Sequence, residues 1–557
     1  MDISVSSLWG VLGIGALCFM QAGFAFLEKG FARSKNAGSA MIKHLVCFAI
    51  GSLTFILFGF GFMGPNGNPF IGRPDPFLQL NYTGGLPLYL QVCLLAFFCS
   101  TILAIVSGAI AERGAFSPFC IFSIVLCGFI FPVAAHWAQP GGWLYLLGFH
   151  DQGGALLNLT GGAAALAAAK MVGPRAEKYG ANKKPRAILG ASVSSSALGV
   201  FIIAACWVVF TTVLSVLRAG QATEVLSKIM MNNVVALLVA TISAFIVTHI
   251  RYGASDVTIT FNGVLGGLAA VSAGSDIISP FGAAVIALVA VLVMIVGLDF
   301  VESFLRIDDP VGSISVHGSC AIVGTVLTGF FGTGAEPYFL GVQALGTAVI
   351  FGWTLLLSLA CLFIIGRLVP LRVAPQAEQE GLDLSEHGLI GQCNLMPYAA
   401  DNYLAYSSAE EAVPAAAFPI PGGPEKPAAP APAAAEPSPL KITTVAIVTR
   451  PEKFEALKQA MYAIGITGMT VYNVMGCGIQ KGASELYRGS PVEINVRPKI
   501  KVEIVVCKVP VRTVIETAKR VLGTGHIGDG KIFQYDTENV VKIRTGEEAY
   551  DALQDVE

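Results

Sequence analysis

The feature that most constrains this chain is a series of eleven apolar stretches between residues 6 and 369. A helix needs about 20 consecutive apolar residues to cross the hydrocarbon core of a bilayer. The stretches lie at about 6–28, 41–62, 87–110, 117–136, 151–172, 188–217, 232–250, 257–275, 281–303, 313–331 and 341–369. Only 13% of the 557 residues are charged, against roughly 25% in a soluble domain. The sequence therefore predicts a multi-pass membrane domain.

The basic residues between these stretches are distributed unevenly. One set of connections, counted with the ends of the neighbouring stretches, carries fifteen lysines and arginines, among them Lys43 and Arg175, and the opposite set carries three, Arg73, Arg218 and Lys228. Because cytoplasmic loops are enriched in basic residues, we predict an N-terminus outside and a cytoplasmic C-terminal part in an inner (cell) membrane. The first stretch lacks a basic n-region and is predicted to span, although an upstream signal peptide that was removed stays an alternative. The net charge of −2 gives no reason to expect a nucleic-acid partner.

The apolar stretch at 313–331 contains one histidine, His317, about two helical turns after Asp308 and Asp309. An ionisable side chain at membrane depth is costly, and such residues usually face a pathway or a polar partner. His317 is therefore a candidate functional residue. His136 is predicted to be a structural hydrogen-bonder, and His44 to lie near the cytoplasmic interface without a chemical role.

Several motifs in residues 5–400 occur in the order typical of one family of membrane proteins. They include MQAGFA at 20–25, SGAIAER at 107–113, PVAAHW at 132–137 and VHG at 316–318. The chain resembles the ammonium transporters (Amt/Mep/Rh family). The resemblance implies that residues 1–400 form an 11-transmembrane-helix ammonium-transporter fold, N-out and C-in. It also implies a homotrimer in membrane lipid, with one narrow pore for ammonium or ammonia in each subunit.

The resemblance assigns pore residues as well. Phe98 and Phe210 match two stacked gating phenylalanines, and His317 matches the second of two pore histidines. Asp151 matches a buried structural aspartate near the outer mouth, although an ambiguity of one residue leaves His150 as an alternative. Aromatic faces attract a desolvated cation, and an apolar constriction rejects ions that stay hydrated. These residue types suit selection of ammonium.

Three positions depart from the family pattern. Asn158 replaces the first pore histidine, Gln139 replaces a tryptophan of the recruitment site, and Leu214 stands where that site has a serine. An asparagine can accept a hydrogen bond but cannot relay a proton at neutral pH. The sequence therefore leaves two functions open, a transporter, which we prefer, and a receptor that binds ammonium without conducting it. An enzyme is not expected, because the sequence shows no nucleophile–base pair or metal-binding cluster.

The composition changes after the membrane domain. Residues 401–439 are rich in Ala and Pro, which is typical of a semi-extended linker. Residues 440–557 show an order of strands and helices that predicts an α+β, ferredoxin-like βαββαβ domain. Its last two strands are predicted at 531–535 and 540–544.

This C-terminal part resembles P-II nitrogen-signalling proteins. The matching motifs are GIQKG at 478–482, ELYRG at 485–489, TGHIGDGKIF at 524–533 and IRTGE at 543–547. The resemblance implies binding of ATP or ADP by Thr470, Gly528, Asp529, Gly530, Lys531, Lys542 and Arg544. It implies binding of 2-oxoglutarate with Mg²⁺ by Gln480, Gly482 and Lys499.

The P-II resemblance also implies a partner, since the long loop of these proteins plugs the cytoplasmic mouth of ammonium channels. Arg488 matches the loop arginine that enters the pore, so the P-II domain is expected to dock on its own channel. Val492 stands at the position of the uridylylated tyrosine, and Ile479 and Lys542 stand where the family has arginines. Regulation by uridylylation is therefore not expected, and the nucleotide preference stays open.

Overall fold

The computed structural model describes residues 5–76, 78–80, 86–180, 182–216, 223–389, 441–450, 453–477, 484–487, 490–493, 496–523 and 529–553. The chain divides into two compact units, a large helical one and a smaller C-terminal one. The predicted linker at 401–439 lies outside the described residues.

The helical unit contains eleven apolar helices of 15 residues or more within the described residues. They are α1 (Val5–Phe31), α2 (Ser34–Met63), α3 (Leu88–Ala109), α4 (Phe116–Trp137), α5 (Gly154–Val172), α6 (Val193–Ser215), α7 (Thr223–Tyr252), α8 (Val257–Val271), α9 (Pro280–Phe304), α10 (Ile314–Phe331) and α11 (Pro337–Leu368). Ten are long and apolar enough to cross a membrane, and α8 is shorter, with 15 residues. The multi-pass membrane fold is confirmed. The stretch predicted at 257–275 is longer than α8, because the chain turns after Val271.

Small residues allow α5 and α10 to approach closely. A Cβ added at Gly162 of α5 would collide with the backbone of Gly318 in α10. Without a hydrophobic drive between helices in lipid, such small residues let two backbones pack directly. Gly162 lies one turn after Asn158 and Gly318 follows His317, so this contact brings the two side chains together.

The start of α10 is wound more loosely than a regular α-helix. Residues Ile314–Ser319 form a π-helical turn that contains His317, and such turns are frequent at functional sites. The carboxylate of Asp309 fixes the turn by accepting hydrogen bonds from the backbone N–H groups of Gly312 (3.0 Å) and Ile314 (2.7 Å). Asp309 therefore orients the segment that carries His317.

Buried ion pairs join the loops at one end of the helical unit. The Arg175 guanidinium lies 3.0 Å from the Glu112 carboxylate and 2.8 Å from that of Asp308. Arg33 contacts the second oxygen of Glu112 at 2.6 Å. Burial by itself raises the pKa of the Asp308 carboxyl, but the positive charges of Arg175 and Arg113 outweigh burial and hold that pKa below its usual range. Asp308 is therefore ionised, and the ion pairs of Arg175 with Asp308 and Glu112 connect the loops that carry these residues.

The C-terminal unit is an α+β fold. Its described elements are β1 (Thr443–Thr449), α12 (Phe454–Ala463), β2 (Thr470–Cys477), β3 (Ser484–Tyr487), β4 (Ser490–Glu493), β5 (Val496–Val506), α13 (Val511–Leu522) and β6 (Lys531–Asp536). Four strands form an antiparallel sheet in the order β2-β5-β1-β6. The two helices bury Leu457 and Val514 against Ile447 and Val502 of the sheet. This arrangement confirms the ferredoxin-like prediction.

Two details of the C-terminal unit differ from the expectations. The polar segment after β2 contains a small two-stranded sheet, formed by β3 and β4. The strand predicted at 540–544 is wrong, since Val541 makes only an isolated bridge with Glu548. A turn replaces it, in which Gly546 has a positive φ of 74° and donates its N–H to the Lys542 carbonyl at 2.8 Å.

Candidate functional site

Two phenylalanine rings mark the first part of the candidate site. Phe98 of α3 and Phe210 of α6 are 2% and 0% exposed, and their ring centroids lie 6.0 Å apart at an interplanar angle of 53°. The Phe131 ring packs edge-on against Phe98, with centroids 6.1 Å apart. The structure therefore brings the two predicted gating residues into contact inside the helical unit.

The second part of the site is a hydrogen bond between His317 and Asn158. The His317 Nδ1 lies 2.7 Å from the Asn158 Oδ1, and the Asn158 Nδ2 donates to the Gly154 carbonyl at 2.7 Å. Because that carbonyl can only accept, the Asn158 amide group must face it with its NH₂. Oδ1 then faces His317 and can only accept.

This geometry determines which imidazole nitrogen carries the proton. His317 must donate from Nδ1–H, and in the neutral ring Nε2 is left with a lone pair. Among the described residues, none hydrogen-bonds Nε2. The side chain can therefore offer an acceptor to a substrate, but it cannot pass its Nδ1 proton to Asn158.

Two further rings flank His317, and the sequence analysis gave them no role. Trp207 stacks near the imidazole, with centroids 6.3 Å apart and an interplanar angle of 23°, and the Phe24 ring lies at 6.1 Å. Trp207 also lies 5.3 Å from Phe210, and its Nε1 donates to the Ser272 hydroxyl at 3.0 Å. It therefore bridges the phenylalanine pair and His317. Its spacing of three residues before Phe210, on the same helix face, could have identified it.

Asp151 lies just before α5 and caps it. Its carboxylate accepts hydrogen bonds from the backbone N–H groups of Gly153 (2.9 Å), Ala155 (3.0 Å) and Leu156 (2.9 Å). His150, the alternative, is half-buried and pairs with another side chain, the Asp276 carboxylate, at 2.9 Å. Asp151 thus positions the helix that carries Asn158.

The two replaced recruitment positions lie elsewhere. Gln139 is half-buried in the turn that follows α4, where its carbonyl accepts from the Gly142 N–H at 2.8 Å. Leu214 is buried and packs against Gly153. Neither position offers an aromatic face or a hydroxyl group to a cation.

His136 has the structural role that was predicted. Its Nδ1 lies 3.0 Å from the Gly64 carbonyl and its Nε2 lies 2.8 Å from the Asn68 carbonyl. These contacts fasten α4 to the connection after α2. His44, in contrast, is buried at 5% exposure with its Nε2 2.9 Å from the Glu28 carboxylate.

In the C-terminal unit, the predicted nucleotide residues occupy separate places. Thr470 begins β2 and lines a cleft of about 470 Å³ together with Glu503. Lys531 begins β6 and is exposed, Arg544 is exposed, and Lys542 lies 3.7 Å from the Glu547 carboxylate. None of these three basic residues lines the Thr470 cleft, so one copy of the chain does not bring the set together.

The turn before β6 requires a glycine at residue 530. Gly530 has a φ of 120°, and a Cβ there would collide with the Val448 carbonyl. The Asp529 carbonyl accepts a hydrogen bond from the Thr449 hydroxyl at 3.2 Å.

Lys499, which was predicted to bind 2-oxoglutarate, lies in β5, opposite Val474 of β2. Four predicted positions lie outside the described residues, namely Gly528, Gln480, Gly482 and Arg488.

Comparison with known families gives two matches along the chain. The model of the Ammonium Transporter Family matches residues 8–392, and the model of the nitrogen regulatory protein P-II matches residues 442–547. The chain is 32% identical to the ammonium transporter Amt2 of Archaeoglobus fulgidus over 71% of this chain and 90% of the relative. It is 33% identical to the ammonium transporter Amt2 of Haloferax mediterranei over 69% of this chain and 89% of the relative.

Solved structures give the same fold. A structure described as a sensor Amt protein is 32% identical, with a TM-score of 0.65, over 69% of this chain and 98% of that one. The crystal structure of Mep2 from Candida albicans is 21% identical, with a TM-score of 0.60, over 66% of this chain and 86% of that one. The second likeness supports the fold alone.

Proposed function

Since the chain belongs to the ammonium transporter family and carries a P-II domain in the same chain, we propose that it conducts ammonium under the control of that domain. The two families support ammonium transport and nitrogen regulation as its general role. The finer proposal is a homotrimeric channel, N-out and C-in in the inner membrane, with the P-II domain in the cytoplasm as an intramolecular gate.

One observation carries the transport proposal, the line of aromatic rings that leads to His317. Phe98 contacts Phe210, Phe210 contacts Trp207, and Trp207 stacks near His317. Aromatic faces favour a desolvated ammonium ion, each by roughly 1–2 kcal/mol, while an apolar constriction disfavours ions that keep their water. The line ends at His317, whose Nε2 is an acceptor suited to an N–H donor.

A second candidate function, an ammonium receptor that does not conduct, is favoured by a different observation. The Asn158–His317 hydrogen bond fixes the proton on Nδ1, so that the two side chains cannot act together as a proton relay. The similarity to a structure described as a sensor Amt protein points the same way. In this case the P-II domain would report that ammonium is bound.

Flux measurement on the purified full chain separates the two functions. Proteoliposomes receive an ammonium pulse while current and internal pH are recorded, with empty vesicles as the blank. A response above the blank supports conduction. No response, together with saturable ammonium binding to the same protein, rejects conduction in favour of the receptor. Asn158→His, which offers a second imidazole, should then restore the response if the missing relay is the cause.

The gating part of the proposal rests on the loop arginine and on the effectors. ATP or ADP would bind where Thr470 of one copy meets Lys531, Lys542 and Arg544 of another, since a single copy separates them. The turn at Gly530 has the glycine backbone that can approach a phosphate. 2-Oxoglutarate with Mg²⁺ would change the position of the loop that carries Arg488.

The gate is tested in the full chain with Arg488→Ala. The variant should conduct under every effector condition, whereas the parent should conduct only under some of them. Arg512→Ala is the control, because Arg512 is exposed and, among the residues that the structure describes, pairs only with Glu516 on its own helix at 3.3 Å. Flux that is independent of ATP, ADP and 2-oxoglutarate in the parent and in both variants contradicts the gate.

A further inference from the structure

An exposed apolar surface lies in the connection between α4 and α5. Residues 143–147 begin with a single helical turn, Trp143–Leu146, and residues 140–149 contain no charged side chain. Leu146 is 67% exposed and Tyr145 is 45% exposed. We call this the Trp143 surface, and it consists of Phe70, Trp143, Tyr145, Leu146, Leu147 and Tyr338. Exposed apolar patches of this kind mark a place where a protein meets a membrane or another molecule.

The helical unit holds this surface in place. The Trp143 N–H donates to the Pro69 carbonyl at 3.0 Å, and the Tyr338 hydroxyl donates to the Leu147 carbonyl at 3.0 Å. The N–H groups of residues 146–149 all donate to backbone carbonyls as well. Backbone groups at the border of a bilayer need such internal partners, because hydrocarbon offers none. The segment is therefore an ordered surface whose backbone suits contact with lipid.

The surface lies at the level where the spanning helices end. The Ala115 N–H, just before α4, donates to the Leu371 carbonyl, just after α11, at 3.0 Å, so the start of α4 and the end of α11 share one end of the helical unit. The end of α4 at Trp137 and the start of α11 therefore share the opposite end. The Trp143 surface follows α4 there and includes Tyr338 of α11. Trp and Tyr are enriched at this level, where spanning helices meet the lipid headgroups.

A continuous line of aromatic rings joins the surface to the lipid-facing side of α4. The ring centroids of Phe70 and Trp137 lie 6.2 Å and 5.9 Å from that of Trp143. The Trp353 ring lies 4.8 Å from Trp137 and 6.3 Å from Phe129. Phe129 is 37% exposed within the spanning part of α4, where an exposed apolar ring borders hydrocarbon. The Trp143 surface is therefore continuous with the lipid-facing surface of the protein.

We propose that the Trp143 surface rests in the membrane interface, with its leucine and aromatic side chains among the phospholipid headgroups and first acyl carbons of the leaflet at this end. Burial of the exposed leucine side chains in lipid gives the contact its free energy. Tyr145 adds a ring that carries a hydroxyl group, a side chain whose apolar and polar ends suit this boundary. The contact lies outside the spanning helices, and it does not depend on ammonium conduction.

A bilayer explains this surface better than a protein partner does. Interfaces between proteins combine an apolar core with a polar rim that selects the partner, whereas residues 140–149 contain no charged side chain that could contribute to such a rim. An interfacial segment needs only apolar area at the right depth and polar groups at its edge. The depth is given by the helix ends, and the continuity with lipid by the ring of Phe129.

The test adds one tryptophan to the full-length protein in lipid nanodiscs. Tyr145→Trp and Leu146→Trp place this reporter within the surface, and the control Ala335→Trp places it at an exposed position just before α11, at the same end of the helical unit. The lipid is phosphatidylcholine brominated either near the headgroup or near the chain ends, with unbrominated lipid as the blank. Acrylamide quenches from the aqueous side. The fluorescence of the parent is subtracted under each condition, because the parent already contains five tryptophans.

In the two surface variants, bromine near the headgroup should quench most of the added fluorescence, bromine near the chain ends should quench less, and acrylamide should have little effect. Ala335→Trp should respond to acrylamide and not to bromine. Acrylamide quenching without bromine quenching in the surface variants places the surface in water and overturns the proposal. Protection from both quenchers shows that a protein covers the surface, such as a second copy of this chain, and overturns it as well.

Tyr145→Trp is a conservative change, so it carries the test where Leu146→Trp does not fold. Ammonium is absent throughout, so the result stands whether or not the protein conducts.

Discussion

The close approach of α5 and α10 at Gly162 leads to a prediction that connects packing to the pore. In Gly162→Ala the new methyl group collides with the backbone of Gly318, and the carbonyl carbon of His317 lies 3.1 Å from it. Backbone atoms cannot rotate away as a side chain can, so the two helices must separate. Overpacking of this kind costs about 1–3 kcal/mol.

The matched control for this change is Gly352→Ala in α11, because a Cβ added at Gly352 meets nothing within 4 Å. Both variants gain the same helix propensity, roughly 1 kcal/mol. The difference between them therefore isolates the collision, about 1–3 kcal/mol. Gly352→Ala should be as stable as the parent or more so, and Gly162→Ala should be less stable.

The assay is the fraction of protein that stays soluble and monodisperse after heating the full chain in nanodiscs. Heat denaturation of such a protein is irreversible in practice, so the variants are compared at identical heating rates. Ammonium flux or binding is measured in parallel, since separation of the helices lengthens the 2.7 Å hydrogen bond between Asn158 and His317. If the two glycine variants melt at the same temperature, the argument that direct backbone contact positions Asn158 and His317 is refuted.

Three further predictions concern the ends of the helices. Arg175→Ala leaves two buried carboxylates without their shared cation and should destabilise the helical unit by about 3–5 kcal/mol. The control Arg251→Ala breaks an exposed ion pair with Asp299 and should cost less than about 1 kcal/mol. Melting curves of the two variants, recorded in parallel, measure the difference in stability. Asp151→Ala removes the cap of α5 and should cost about 1–2 kcal/mol, of which Asp151→Asn should recover part in the same assay. Because the pKa of Asp308 is lower in the folded chain than the usual value of about 3.9, its ion pairs stabilise the fold fully above about pH 5 and lose this effect as the pH falls below about 4. The stability difference between the parent and Asp308→Asn should therefore stay constant from about pH 5 to pH 8 and shrink in acid, as measured by denaturation at each pH.

The sequence predicts the helices well, because length and apolar composition are properties of a single segment. The ten long helices have counterparts among the predicted stretches, and α8 differs only in its length. The π-helical turn around His317 could not be predicted, since it depends on the hydrogen bonds of Asp309 to Gly312 and Ile314. The resemblance to known families supplied the positions of the pore residues, and composition alone gave none of them.

The basic residues show where a one-dimensional pattern reaches its limit. Lys43 and Arg175 were counted as loop charges that indicate the cytoplasmic side, but the structure buries them against Glu28 and against Glu112 with Asp308. His44 was expected to have no chemical role, yet its Nε2 is within hydrogen-bond distance, 2.9 Å, of the Glu28 carboxylate. Charge counts predict a side of the membrane, whereas partners that lie far apart in sequence decide whether a charge is solvated.

Asn158 restricts how a proton can move at His317, and this restriction bears on the form in which ammonium would pass. Asn158 cannot take the Nδ1 proton of His317, because its amide NH₂ is held by the Gly154 carbonyl. A route in which ammonia and a proton separate and the proton crosses both side chains is therefore closed. Either neutral ammonia passes alone, without current, or the intact ion passes.

The line of aromatic rings favours the intact ion, since aromatic faces attract a cation more than they attract neutral ammonia. Flux through this chain should therefore carry one positive charge for each nitrogen that crosses. Current and internal pH recorded in the same vesicles give this ratio. An ammonium pulse that changes internal pH without current would show that ammonia crosses alone, and the role proposed for the aromatic rings would then be wrong.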